Sequence, residues 1–203
     1  MEKLKYTSDI AFTPTVKAIQ EKKHSRSNYA RMEESGGWQY EVTPQLEGFL
    51  ESMDSFYLST SNENGQPYTQ HRGGPKGFLK VIENNSLAFA DFSGNRQYIT
   101  IGNLSENNKA FIFLMDYATQ TRIKIWGTAK VEEEDQELME SLSDPSYKAR
   151  VERSIIFTVE AWDMNCRQHI QKRFTEDDIK IITTPLNDRI KELENIVKDQ
   201  NIN

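Results

Sequence analysis

The sequence predicts a mainly β fold with flanking helices: an antiparallel barrel, closed or nearly closed, with a helical N-terminal prelude and a C-terminal helix. Three observations carry this. The apolar spacing is helical up to about Met53 and changes to short strand-like runs from Ser55 onward. Six or seven such runs follow, mostly joined by brief turns, up to Trp162. Leu186, Ile190, Leu193 and Val197 then return to a four-three-four spacing, a single short heptad seam that suits packing on the body or on a partner subunit.

The prelude contains three helical pieces. Thr13-Pro14 is a cap followed by proline at the first helical position, with Val16, Ile19 and Gln20 behind it. Ser27 to Glu34 is a second helix, stopped by Gly36-Gly37. A third starts at Thr43-Pro44 and has an apolar face of Leu46, Phe49, Leu50 and Met53. The strands are Ser55–Thr60, Pro67–Arg72, Gly77–Ile82, Ser86–Asp91, Ala110–Met115, Arg122–Val131 and Ser154–Trp162. Turns are expected at Asn62–Gly65 and Asn84-Asn85, short helices at Asn95–Asn103 and Glu133–Leu142, and a bulge or bend at Gly127. The domain boundaries follow: 1–54 is a helical extension packing on the barrel, 55–174 the barrel, and 175–203 the helical tail.

Composition narrows the function classes. With 25 Lys and Arg against 31 Asp and Glu, the net charge of -6 opposes nonspecific binding of nucleic acid. Lys17–Arg31 is basic and Glu132–Asp135 acidic, which suits two solvated helical faces. One cysteine, Cys166, excludes an intramolecular disulfide framework and suits a reducing compartment. No apolar run is long enough to cross a bilayer and no secretory segment opens the sequence, so a soluble cytoplasmic protein is expected.

Two segments stand out as ligand-binding candidates. Gln70-His71-Arg72-Gly73-Gly74-Pro75-Lys76-Gly77 combines glycines, which allow backbone amides to approach a ligand closely, with an arginine able to grip a phosphate bidentately. A plain glycine turn with a surface arginine reads the same residues equally well. Asp91-Phe92-Ser93-Gly94-Asn95-Arg96-Gln97 joins a strand to a helix, placing Ser93, Asn95, Arg96 and Gln97 where free amides and the helix dipole favour an anion. Ser93 or Asn95 as a simple N-cap is the competing reading. Together the two segments suit a phosphate clamp better than either does alone.

The order of QHRGGPKGFLKV, LAFADFSGNRQYITIGNLSENNKAFIFLMDY and IKIWGTAKV resembles the pyridoxamine 5'-phosphate oxidase-like FMN-binding split-barrel family, over roughly Ser55 to Val131. The resemblance implies a split barrel and an FMN cofactor. It gives the phosphate to Arg72 and Asn95-Arg96-Gln97, with Gln70, Pro75 and Ser93 in the same segments and His71, Gly73 and Gly74 along the ribityl chain and ring edge. Gln97 stands where the family carries a lysine. The resemblance also implies a homodimer with FMN at the subunit interface, where Arg122, Lys124 and Trp126 contact the flavin from the partner subunit. The Trp-Gly-Gly-Tyr-Arg-like segment of true pyridoxamine-phosphate oxidases is absent, so the implied activity is a flavin-dependent oxidoreductase with another substrate. Substrate and electron donor stay open. A non-catalytic flavin-storage module is one alternative, and a haem-binding split barrel with His71 or His169 as ligand is another.

In place of that segment the chain carries Ala161–Ile170, where Asp163, Cys166 and His169 have a spacing reminiscent of a metal site or nucleophile–base pair. Three such groups with one thiol are a poor zinc set, so no metal is expected; a polar turn after the last strand is the first reading and contact with flavin or substrate the alternative. No catalytic triad or carboxylate pair is visible. Phe56, Tyr57, Phe89, Phe111 and Phe113 are expected as barrel residues.

Overall fold

The computed structural model describes residues 4–83, 85–165 and 167–200; Asn84 and Cys166, singled out above, lie outside them. The prelude is built as its capping residues dictate. After a 3-10 turn at Thr7–Ile10, α1 (Pro14–Lys22) and α3 (Pro44–Ser52) each have proline at the first position. Thr13 and Thr43 cap them, their hydroxyls accepting from the amides of Val16 and Leu46 at 3.3 Å. Between them α2 (Arg26–Glu34) is stopped by Gly36 and Gly37, both at positive φ, with the Gly37 amide donating to the Met32 carbonyl. Glu33 is buried here, taking a hydrogen bond from the Ser8 hydroxyl and an ion pair from Arg26. That pairing lets a carboxylate sit under the prelude.

Seven strands form one antiparallel sheet: β1 (Ser55–Ser61), β2 (Pro67–Gly73), β3 (Lys80–Glu83), β4 (Ser86–Phe92), β5 (Lys109–Asp116), β6 (Thr121–Glu132) and β7 (Val151–Asn165). Their order is β2-β1-β5-β6-β7-β4-β3. Among the described residues the ladder ends at β2 and β3 without hydrogen bonds between them, so the barrel is split. The β2–β3 connection is tied to the junction of α3 and β1, the amides of Gly74 and Gly77 donating to the carbonyls of Asp54 and Met53 at 2.9 Å. The alternation of each strand sends Phe56, Leu58, Leu87, Phe89, Ile112, Leu114, Ile123, Ile125, Ile155 and Phe157 into one core, with Leu46 and Leu50 of α3 packed onto it. Burying each such side chain contributes roughly 1.5–3 kcal/mol.

Four expectations shift, each for a local reason. The strand expected from Gly77 begins only at Lys80, because Gly77 has φ 74° and the Phe78 amide closes a turn onto the Pro75 carbonyl at 3.0 Å. The helix expected from Asn95 is α4, Ile99–Glu106. Arg96 and Tyr98 both have left-handed φ, so helical dihedrals start only after Tyr98. The acidic helix starts at Gln136 (α5, Gln136–Leu142), where Asp135 accepts from the Leu138 amide. The last strand runs on through Asp163 to Asn165 rather than turning after Trp162. Gly127 is the expected bulge: the β6–β7 register shifts there, and a Cβ would meet the Thr158 carbonyl at 2.0 Å.

The chain divides into two compact units, Met1–Met115 with Arg122–Cys166, and Asp116–Thr121 with Arg167–Asn203. Within the second, Gln120 donates to the Ile170 carbonyl and the Arg173 guanidinium lies 4.7 Å from the Tyr117 ring. Its long helix α6 (Glu176–Gln200) is started by Thr175 and Asp178, each side chain accepting from the other's amide. Among the described residues no helix is long and apolar enough to cross a membrane.

Candidate functional site

β2 alternates, and that alternation divides the Gln70–Pro75 segment. Tyr68, Gln70 and Arg72 are paired with Thr60, Leu58 and Phe56 and share their inward face. His71 pairs with Tyr57 on the outward face, the two rings 5.5 Å apart and edge-on. The inward set opens onto a cavity of about 190 Å³ that also receives Asn95, Arg96 and Gln97 from the loop before α4 and Arg153 from β7. Five of the thirteen expected ligand-binding residues therefore come together: Gln70, Arg72, Asn95, Arg96 and Gln97.

Charge organises this cavity. Asp91, at the end of β4, bridges two arginines: Arg72 donates Nη1 to Oδ1, and Arg153 donates to Oδ2 at 3.2 Å. All three side chains are nearly buried, with exposures of 12%, 9% and 13% for Arg72, Asp91 and Arg153. Arg72 also lies 5.7 Å from the Phe89 ring, yet its Nε is buried without a hydrogen-bond partner. Arg153 donates Nε to Glu133 at 2.7 Å, approaches Glu152 at 3.6 Å and lies 5.5 Å from the Tyr98 ring. Burial works against its charge, but Glu133 and Asp91 outweigh that and raise its pKa above the ordinary guanidinium value. Around the cavity three arginines stand against two carboxylates, Asp91 and Glu152, in a chain whose net charge is -6. Gln70 accepts from the Thr100 hydroxyl at 2.9 Å, tying β2 to α4.

The loop from Ser93 to Gln97 is built differently. Its residues are exposed, and Arg96 makes no ion pair or hydrogen bond among the described residues. The Ser93 amide is taken by the Arg150 carbonyl at 2.8 Å, and the Gln97 amide by the Asn95 side chain at 3.3 Å. Two amides of the loop are thus engaged, whereas the first-turn residues Ile99, Thr100 and Ile101 of α4, a helix with no side-chain cap, line the cavity beside the side chains of Asn95, Arg96 and Gln97. The glycines of the first segment are engaged within the fold. The amide of Gly74 is used by Asp54, and a Cβ there would press into the Phe78 side chain at 2.7–3.0 Å, so its smallness serves packing. The Pro75 carbonyl accepts from the Phe78 amide, and a Cβ on Gly73 would lie 3.2 Å from the His71 ring.

Arg122, Lys124 and Trp126 lie on the face of β6 opposite Ile123 and Ile125, away from this cavity. Trp126 is stacked beneath Trp38 at 4.5 Å, and Phe12 packs on Trp38 in turn, so the prelude covers it. Lys124 pairs with Asp163 at 3.0 Å and lies 5.2 Å from both tryptophan rings. His169 is exposed at φ 63°, and Cys166 lies outside the described residues. Among the described residues no group of three His, Cys, Asp or Glu is placed to hold a metal ion.

The sequence reading missed Asp91 and Arg153 as the frame of the cavity. A signal existed in SLAFAD, an acid closing an otherwise apolar strand, which needs a cation once buried. Its partner was not legible, because Asp91 meets Arg153 only through the β4–β7 register, 62 residues away in the chain.

Comparison with known proteins gives the family and the fold. Residues 42–173 match the family model described as pyridoxamine 5'-phosphate oxidase. No curated protein matches the sequence. Among solved structures, HupZ of Group A Streptococcus is 15% identical, with a TM-score of 0.50 over 66% of this chain and 99% of its own. An FMN-binding protein from Syntrophomonas wolfei is 13% identical, with a TM-score of 0.48 over 72% of this chain and 97% of its own. A Clostridium acetobutylicum protein related to general stress protein 26 is 17% identical, with a TM-score of 0.46 over 66% of this chain and 94% of its own. With its fold matched by HupZ and two thirds of its length by the family model, the chain belongs to the pyridoxamine 5'-phosphate oxidase family.

Proposed function

We propose that this chain binds FMN, with the phosphate in the Arg72–Arg96 cavity, and acts in the cytoplasm as a homodimeric flavin-dependent oxidoreductase. The observation that carries the reading is a buried arginine with an unpartnered Nε and a second arginine that has no partner among the described residues, both on one cavity. A phosphate ester supplies the acceptor oxygens that such donors lack. The residues fit the group: Arg72 and Arg96 hold the phosphate by charge, Asn95 and Gln97 add amide donors, and Asp91 with Arg153 keeps Arg72 in place. Gln97, where the family carries lysine, leaves this side of the clamp one charge short, and Arg153 brings a third arginine to the cavity from β7.

The size of the cavity supports a second surface. At about 190 Å³ it is smaller than the roughly 300–1,000 Å³ of sites that enclose a whole small ligand. It suits the phosphate end of the cofactor, and a partner subunit completes the cover of the ring. Among the described residues the cavity is lined by arginines, amides and hydroxyls, groups that bind and orient a phosphate. When bound, the flavin supplies hydride chemistry.

The test is uptake of FMN by the purified protein, followed by fluorescence quenching, then anaerobic reduction with NADH or NADPH. Retained FMN that bleaches with either donor supports the oxidoreductase reading. Retained FMN that neither donor reduces points to storage, and a protein that takes up no FMN contradicts the flavin reading. A Soret band after haem addition would redirect the assignment to haem.

A further inference from the structure

The second unit carries an apolar seam with no place in the flavin reading. On α6, Ile179, Leu186, Ile190, Leu193 and Val197 recur with Thr183 at alternating four- and three-residue steps. The five apolar members are 44–60% exposed. Written as heptads, the d positions are Ile179, Leu186 and Leu193, and the a positions are Thr183, Ile190 and Val197. All three a positions are β-branched and two of the three d positions are leucine, the combination that favours two parallel strands; Ile179 is the one d residue that departs from it. We propose that α6 forms a parallel, in-register, two-stranded coiled coil with α6 of a second copy of this chain.

The flanking charges are consistent with that occupant. Arg189 falls at g and Glu194 at the following e, so a parallel pair brings each Arg189 to the other copy's Glu194, twice by symmetry. Among the described residues Arg189 is engaged only by an exposed pair with Glu192 at 2.5 Å, a kind of contact worth little and easily shared. Antiparallel pairing would bring Lys180 to Glu194 but set Arg189 against its own copy, so the a and d residues decide the direction. A membrane surface is a poorer occupant: from Glu176 to Gln200 the helix carries seven acids and four bases.

Pro185 fits the same arrangement. It removes one helical hydrogen bond and its ring crowds the carbonyl of Ile181, which opens the helix on the proline side. Pro185 is at c, on the side away from the seam, so the seam lies inside the bend. The seam spans fewer than three full heptads, short for a free coiled coil. Association of the barrels raises the effective concentration of the two helices. The pairing itself needs no flavin.

The experiment uses the full-length chain in a Cys166→Ser background, with Ile190→Cys at an a position or Asn195→Cys at the outward f position. Residues facing each other at a lie within disulfide reach only when the helices are parallel and in register. Mild oxidation is expected to link the Ile190→Cys chains into dimers at least about tenfold faster than the Asn195→Cys chains, as a nonreducing gel would show. Equal rates, no linkage at Ile190→Cys, or binding of anionic lipid vesicles in place of linkage would overturn the proposal. A Leu186→Glu, Leu193→Glu pair in the Ile190→Cys chain is expected to abolish the linkage; persistence of the linkage would also overturn it. FMN content measured on the same samples separates failure of the helix pairing from failure of the flavin site.

Discussion

The two segments that converge on the cavity are built in opposite ways. Arg72 is locked: it shares Asp91 with Arg153, lies near Phe89, and sits on a strand held by the β1 ladder. Arg96 is open: it stands on an exposed loop at φ 58° with no partner among the described residues. The locked arginine costs little to organise when an anion arrives, because its side chain is already fixed. The open one provides charge that no internal carboxylate has neutralised. The proposed phosphate clamp needs both properties, which Arg72 and Arg96 carry on different elements.

The largest single change expected is at the locked side. Arg72→Ala removes a charge-assisted donor and leaves the nearly buried Asp91 with only Arg153, so FMN affinity should fall about 10- to 100-fold and the melting temperature should fall with it. Titration and thermal unfolding on one preparation check both. Next is Gly74→Ala, whose methyl group presses into Phe78 and should lower stability by about 1–3 kcal/mol. The FMN affinity of its folded fraction should stay unchanged, because the Gly74 amide is already used by Asp54. Affinity loss without destabilisation would restore the amide-cradle reading of the glycines.

Arg96→Ala should weaken FMN about tenfold with no change in melting temperature, the signature of an open residue. The smallest effect belongs to Glu152, on the cavity wall. The Ser93 hydroxyl, with help from Arg150 and Arg153, outweighs burial and holds its carboxyl below the ordinary value. A depressed carboxyl stabilises the fold above its unfolded pKa and loses that contribution as pH falls through the lowered one. Glu152→Gln should therefore flatten the acid limb of stability against pH, and tighten FMN by a factor of about two to five by removing a like charge. A steeper acid limb would contradict this account of Glu152.

Much of the fold was legible because the signals were local. Thr13-Pro14 and Thr43-Pro44 start helices at the expected residues, the Asn62–Gly65 turn sets the β1–β2 register, and Gly127 bends β6. What could not be read depended on backbone conformation or on distant pairing. Nothing in the sequence around Arg96 and Tyr98 announced left-handed φ, so α4 was expected about four residues too early. The cavity was half legible. Arg72 and Arg96 declared themselves by type and position, whereas Asp91 and Arg153 became a pair only through the β4–β7 ladder. The outward placement of His71 was implicit in the two-residue strand period, once Arg72 was known to face inward.

The central claim is that one phosphate is held from both segments, and FMN titration of the Arg72→Ala, Arg96→Ala double variant tests it most directly. With folding checked by near-ultraviolet circular dichroism, the account predicts that the double variant no longer retains FMN through gel filtration while the unaltered protein does. Unchanged FMN affinity in the folded double variant would place the phosphate elsewhere and contradict the account.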